Sequence, residues 1–207
     1  MLQIEQFPAG KWKTNCFVIS DAAKNTIIVD PGNDFVKILN YISNNNLIPL
    51  AILNTHSHHD HIGAVCDLQG VFNIPFYLHA KDKVILSRAK FFSVVLDKNK
   101  DIKIPIFDKD LEVTPFLNFG SIEVQVIHSP GHTPGSVCFL IGNRLFSGDT
   151  LLYNTDALKG LPGEDLEELK ASVNLLFELP KELVVYPGHG KITPYDDSFR
   201  RKIMSIL

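Results

Sequence analysis

The sequence predicts an α/β protein in which two sheets pack face to face with helices outside each. Strand-like and helix-like stretches come in blocks, strands first, then helices, then strands, then helices. The chemically special residues fall just past predicted strand ends, in Gly-rich turns. With 45% hydrophobic and 21% charged residues, 207 residues suit one soluble domain with a substantial core, so residues 1–207 are read as a single unit.

Residues 2–7, 14–20 and 26–29 read as strands, separated by turn formers at 8–10 and 21–25. Asp30-Pro31-Gly32 ends the third. Residues 34–45 predict a helix, because Phe35, Ile38, Leu39 and Ile42 form one apolar stripe. Residues 50–53 predict a buried strand, 62–68 a helix, 75–78 a strand and 81–89 a helix. Residues 91–114 read as irregular, a candidate flap. Strands follow at 121–128, 137–141 and 144–146, a helix at 165–177, a strand at 183–186 and a closing helix from 196.

Composition excludes several function classes. Net charge is −3 with no basic run, which gives nucleic acid no electrostatic footing. No apolar stretch reaches membrane-spanning length, and the first residues lack a signal-peptide layout. Cys16, Cys66 and Cys138 are scattered and odd in number, arguing against a disulfide framework and for a reducing compartment, the cytoplasm. All three lie in apolar segments and read as buried small hydrophobes. Oligomeric state has no signature here.

Residues 55–61, Thr-His-Ser-His-His-Asp-His, concentrate four histidines and a carboxylate. Neutral imidazole and carboxylate are donors for zinc and iron. His56 and His58 alternate with Ser57, so an extended segment projects both the same way. Asp60 and His61 follow a turn and aim at a neighbouring point. Three later turns, Pro130-Gly131-His132, Ser147-Gly148-Asp149 and Pro187-Gly188-His189, each add one donor. The candidate ligands are therefore His56, His58, Asp60, His61, His132, Asp149 and His189, enough for two metal ions. Zinc leads, with iron and manganese as alternatives, since affinity alone does not choose.

The string His-x-His-x-Asp-His with single His, Asp and His downstream resembles the metallo-β-lactamase superfamily. Within it, Pro-Gly-His-Thr-Pro-Gly-Ser, Phe-Ser-Gly-Asp-Thr, Tyr-Pro-Gly-His-Gly and Thr14-Asn15-Cys16-Phe17 are similar to the glyoxalase II-like hydrolases, over roughly residues 12–193. The resemblance implies an αββα four-layer sandwich with the site at one edge. It implies one ion on His56, His58 and His132, a second on Asp60, His61 and His189, and Asp149 bridging. It implies a hydrolase of small-molecule thioesters without the C-terminal glutathione-binding domain of full-length glyoxalase II, since 18 residues follow His189.

The expected chemistry is attack by a metal-bridging hydroxide on a polarised carbonyl, with Asp60 and Asp149 as the catalytic carboxylates. Two divalent ions, two carboxylates and one hydroxide leave a charge of about +1, suited to an oxyanion. A departing thiolate, with a pKa around 8.5, needs no strong general acid.

Alternatives come from other classes. Persulfide dioxygenases use one iron on the equivalents of His56, His132 and Asp149, but carry Gly-Arg-Thr-Asp where this chain has Tyr153-Asn154-Thr155-Asp156. Lactonases share the ligands, and Tyr153 could assist. A metal-stabilised, non-catalytic module is the third. Zinc β-lactamases of the main type carry Cys at Asp149, and flavodiiron reductases carry Glu at His58.

Around the ligands, His59 is expected to point outward and His79 and His128 to be structural, with a supporting contact to a ligand as the alternative for His128, four residues before His132. Asp30 is either a turn residue or a partner for a ligand histidine. Trp12 is surface or pocket rim, and Phe91-Phe92 are pocket or core. Lys159, Tyr195, Arg200 and Arg201 could bind an anion, although solvated side chains are the commoner reading. Residues 151–163 are the candidate specificity loop, with Tyr153 and Asn154 its leading positions.

Overall fold

A computed structural model of the chain describes residues 1–153 and 160–207. One sheet runs in the order β1 (Gln3–Ala9), β2 (Thr14–Ser20), β3 (Asn25–Val29), β4 (Ile48–Leu53), β5 (Phe76–Leu78) and β6 (Lys109–Asp110). The other runs β12 (Thr193–Pro194), β11 (Val184–Pro187), β10 (Arg144–Gly148), β9 (Val137–Ile141), β8 (Ile122–His128) and β7 (Phe116–Phe119). Both sheets are mixed, with β3 to β6 parallel in the first and β10–β11 parallel in the second.

Alternation along the strands separates the layers. Phe17, Ile19, Ile27, Val29, Ala51 and Leu53 face Leu117, Val124, Phe139, Ile141 and Phe146 across the middle. Their neighbours Cys16, Val18, Ile28 and Ile52 turn outward against Ile38 and Ile42 of α1 (Phe35–Asn44), Leu68 of α3 (Val65–Phe72) and Leu86 and Ala89 of α4 (Lys83–Asp97). Cys138, Leu145 and Val185 do the same against α5 (Leu166–Phe177) and α6 (Asp197–Met204). This is the four-layer αββα sandwich. A short α2 (His59–Ile62) sits at the sheet edge. No helix among the described residues is long and apolar enough to cross a membrane.

Two expectations are corrected. Residues 91–97 are not irregular: α4 runs on to Asp97, because Ile85, Ala89, Phe92 and Leu96 continue one helical face through a β-branched, aromatic run. The left-handed Lys98 (φ +57°) then ends it. Cys16 and Cys138 are buried as expected, but Cys66 is half-exposed because it lies on the solvent side of α3.

The strand directions place the site. Parallel β3 and β4 deliver their C-terminal ends, Asp30 and Asn54–Thr55, to the same edge. In the other sheet β8, β10 and β11 also point one way and end at Ser129, Asp149 and Gly188. Val137 N–H donates to Thr55 O at 2.9 Å and stitches the sheets together there.

Phe139 is fully buried between the sheets. Phe139→Ala is expected to destabilise the fold by about 3–5 kcal/mol in urea unfolding, whereas Phe116→Ala, at a side chain 66% exposed, should change it by less than about 0.5 kcal/mol.

Candidate metal centre

All seven expected ligand residues meet at this edge. Three groups have donor atoms within 4.8 Å of one another: His56, His58 and His132; His56, His61 and Asp149; and Asp60, His61 and His189. His58 Nδ1 and His132 Nε2 are 2.9 Å apart. Asp149 Oδ2 lies 3.5 Å from both His132 Nε2 and His189 Nε2 and 4.0 Å from His56 Nε2, and its Oδ1 is 3.6 Å from His61 Nε2. Asp149 therefore stands between the two outer groups.

Partners outside the cluster turn the donors inward. His58 Nε2–H donates to Pro162 O at 3.1 Å, which leaves Nδ1 as the inward lone pair. His189 Nδ1–H donates to Trp12 O at 3.0 Å, which leaves Nε2 inward. His61 Nδ1 faces Asp30 Oδ2 at 3.2 Å. Thr55 Oγ1 donates to Asp30 Oδ2 at 2.7 Å, so it can accept from His56 Nδ1–H at 3.1 Å. Asp30 is thus both the strand-ending turn and the ligands' partner. Its left-handed backbone (φ +46°) is unfavourable for a non-glycine residue and is held by its bonds to Thr55 N and Oγ1. Thr14 Oγ1 donates to Asp60 Oδ2 at 2.6 Å.

Electrostatics follow from burial of like and unlike groups together. Burial, reinforced by His61 and His132, depresses His56 well below the usual histidine range. Burial with His58 beside it pushes His132 down to about 3. Burial lowers His58 as well, against the pull of Asp60. It also opposes charge on His61, where the carboxylates of Asp60, Asp149 and Asp30 win and raise it. On His189 burial is outweighed by Asp149 and Asp60, and its pKa rises to about 11. The two carboxyls stay well below their ordinary range despite burial, held by His61 beside Asp60 and His189 beside Asp149.

Two central atoms, His56 Nε2 and Asp149 Oδ1, are buried without a hydrogen-bond partner. Such orphans cost about 1–3 kcal/mol each. A Lewis acid satisfies a lone pair that no protein donor reaches, so the donor set fits divalent metal ions.

Several residues missed in the sequence build the site. Asp82, fully buried, accepts from Ser57 N–H at 2.8 Å and Gly135 N–H at 2.7 Å, joining the histidine segment to the His132 turn. Asn15 bonds Pro187 O and Gly190 O and holds the His189 turn. Asp97, distant in sequence, bonds His59 and Trp12. A carboxylate such as Asp82 or Asp97, bonded to groups far away in sequence, has no local signature, and Asn15 was visible only within the Thr14-Asn15-Cys16-Phe17 string, without a role.

His59 corrects an expectation. It is buried, with Nε2 2.9 Å from Asp97 Oδ2, because α4 comes close enough to receive it. The rings of His79 and His128 stack on each other with centroids 4.3 Å apart, His128 Nε2 lies 3.0 Å from Pro134 O, and neither belongs to the donor groups, as expected of structural residues. Phe92 and Trp12 line the cleft over the site, while Phe91 is exposed. Tyr195 donates to Leu176 O, and Arg200 covers its ring, so neither is free for an anion. Arg201 is exposed on α6, Tyr153 is 44% exposed, and Asn154 and Lys159 lie outside the described residues.

Asp82→Ala leaves two buried N–H groups unpaired and is expected to destabilise the protein by roughly 2–5 kcal/mol in urea unfolding, with Asp82→Asn restoring part of the loss.

The comparisons with known proteins agree with this geometry. Residues 9–189 match the sequence profile of the metallo-beta-lactamase superfamily. The probable metallo-hydrolase YqgX of Bacillus subtilis is 34% identical, over 91% of this chain and 90% of its own. The hydroxyacylglutathione hydrolase GloC of Haemophilus influenzae is 29% identical over 93% of this chain and 92% of its own. Among solved structures, the BLEG-1 B3 metallo-beta-lactamase superposes with a TM-score of 0.84 at 36% identity, covering 93% of this chain and 94% of its own. A di-iron-bound form of TTHA1623 superposes at 0.85 with 33% identity, covering 98% and 100%. The profile match covers most of the chain and the sandwich is the same, so this chain belongs to the metallo-beta-lactamase superfamily of metal-dependent hydrolases.

Proposed function

We propose that the protein is a dinuclear metal-dependent hydrolase of small-molecule thioesters. His56, His58 and His132 would hold one ion, Asp60, His61 and His189 the other, with Asp149 between. The observation that carries this reading is the convergence of two complete three-donor groups on one buried carboxylate. A relative of similar length is a hydroxyacylglutathione hydrolase, and a structural neighbour binds two irons. Zinc is the first choice, with iron or manganese as alternatives. Three free cysteines suit a reducing cytoplasm.

Divalent ions held there supply hydroxide at neutral pH and positive charge for a developing oxyanion. The side chains do the rest. Asp60 is 12% exposed at its side chain where Asp149 is 2%, so Asp60 is the more open of the two cleft-lining carboxylates to orient the attacking oxygen and take its proton. Thr14 Oγ1 fixes the Asp60 carboxylate for that task. Trp12, Phe92, Leu161 and Pro162 close off bulk water. A thiolate leaves without a protein acid.

The 36% identity to a B3 metallo-beta-lactamase favours one second reading, a β-lactam as substrate. Metal analysis of protein purified without added metal, read beside hydrolysis of S-lactoylglutathione and a chromogenic cephalosporin, separates the two. About two ions per chain with thioester turnover supports the proposal. Cephalosporin turnover alone, or one iron with oxygen uptake on glutathione persulfide, overturns it.

Asp60→Ala and Asp149→Ala should each lower kcat by roughly 100-fold or more with an unchanged far-UV spectrum. A Cβ on Gly188 would lie 2.1 Å from Asp149 Oδ1 and 2.9 Å from His61 Cε1. Gly188→Ala should therefore lower metal content and turnover together, whereas Gly70→Ala, with no atom within 4 Å of the added carbon, should change neither.

A further inference from the structure

The cleft over the candidate metal centre has two unlike walls. The floor carries His58, Asp60, Asp149 and His189. The roof is Ile85, Ala89, Phe92 and Leu96, one continuous face of α4 at intervals of four, three and four residues. Trp12 closes one side and Leu161–Pro162 the other.

Polar groups around the cleft are already engaged. Ser57 Oγ donates to Asp82 O, His58 Nε2 to Pro162 O, and His59 Nε2 lies 2.9 Å from Asp97 Oδ2. Trp12 Nε1 donates to the other Asp97 oxygen at 2.8 Å, and Lys11 Nζ donates to Leu96 O at 2.9 Å. These bonds clamp the β1–β2 turn onto the end of α4, so the roof is held in place over the floor. No lysine or arginine lines the cleft among the described residues. A charged substituent laid against the α4 face would lose its water to Ile85, Ala89, Phe92 and Leu96, whose side chains offer it no hydrogen-bond donor.

We propose that this cleft is an acyl pocket: it takes an uncharged, apolar acyl chain against the α4 face and rejects an anionic one. Phe92 is the specificity-determining contact, and Asp97 is a positioning residue that holds the rim through His59 and Trp12. The inference rests on the thioester reading for its chemistry, but the pocket can be tested without turnover.

Two measurements on the full chain test it. The first is kcat/KM of the metal-loaded protein for acetyl, butyryl, hexanoyl and succinyl thioesters of one uncharged thiol, N-acetylcysteamine. The expected rise is about fourfold per added methylene, with the succinyl ester more than about 100-fold below the butyryl ester. Phe92→Ala should flatten the rise. Asp97→Ala should raise KM for the hexanoyl ester more than it lowers kcat, with Asp97→Asn recovering part. A flat series, or succinyl equal to butyryl, overturns the proposal.

The second measurement uses Trp12, the single tryptophan of the chain. Its emission should shift saturably with N-acetyl-N′-hexanoylethylenediamine, the amide counterpart of the hexanoyl ester with no free thiol, and not with the succinyl amide. A shift without any thioester turnover keeps the pocket and removes the hydrolase reading. Turnover with a flat series and unmoved emission keeps the hydrolase and removes the pocket.

Discussion

Everything in this protein is arranged around one costly concentration of polar groups. Five imidazoles and two carboxylates are packed into a buried edge of the sandwich, in three overlapping groups whose donor atoms lie within 4.8 Å of one another. Left alone, such a cluster is a set of buried groups competing for too few protons, which is why His56 and His132 are depressed while His61 and His189 are raised beside Asp60 and Asp149. Two divalent cations, as proposed, would resolve the competition by replacing protons with charge at the points where the lone pairs converge. The fold supplies the rigidity that keeps those lone pairs converging.

That rigidity is built in layers. Parallel β3 and β4, and the co-directional β8, β10 and β11, bring five strand ends to one edge without disturbing the apolar middle. Outside the ligands stands a ring of groups that never touch the centre directly, including Asp30 behind His56 and His61, Asp82 behind Ser57 and Gly135, and the Trp12 carbonyl behind His189. The close approach of the Pro187–Gly190 turn is possible only because Gly188 has no side chain facing Asp149. The apolar roof contributed by α4 then gives the polar floor a dry, one-sided approach, in which electrostatic interactions are stronger than in water.

The convergence of the seven candidate ligands was legible because its signal is dense and local. Four histidines within six residues, and three single donors in Gly-rich turns, have no easy structural explanation. The strands and helices with clean periodicity were legible for the same reason: the 137–141 strand and the Leu39-containing α1 stripe follow directly from spacing. What escaped depends on tertiary context. The aromatic and β-branched run at 91–96 has strand-like propensity, yet it continues α4, with Phe92 and Leu96 on the cleft side and Phe91 and Val95 exposed. His59 stands between two ligands with nothing local to distinguish it; its inward orientation depends on Asp97, 38 residues away. Short edge strands such as β6, β7 and β12 pair through backbone groups and carry little side-chain pattern to read.

The central claim is that the seven residues hold two ions rather than one or none. Anomalous diffraction from crystals of the metal-loaded protein, collected at the absorption edge of the bound metal, tests it most directly. The account predicts two peaks about 3.5–4 Å apart, one enclosed by His56, His58 and His132, the other by Asp60, His61 and His189, with Asp149 reaching both. A single peak on His56, His132 and Asp149, or no peak at this edge of the sandwich, would contradict it.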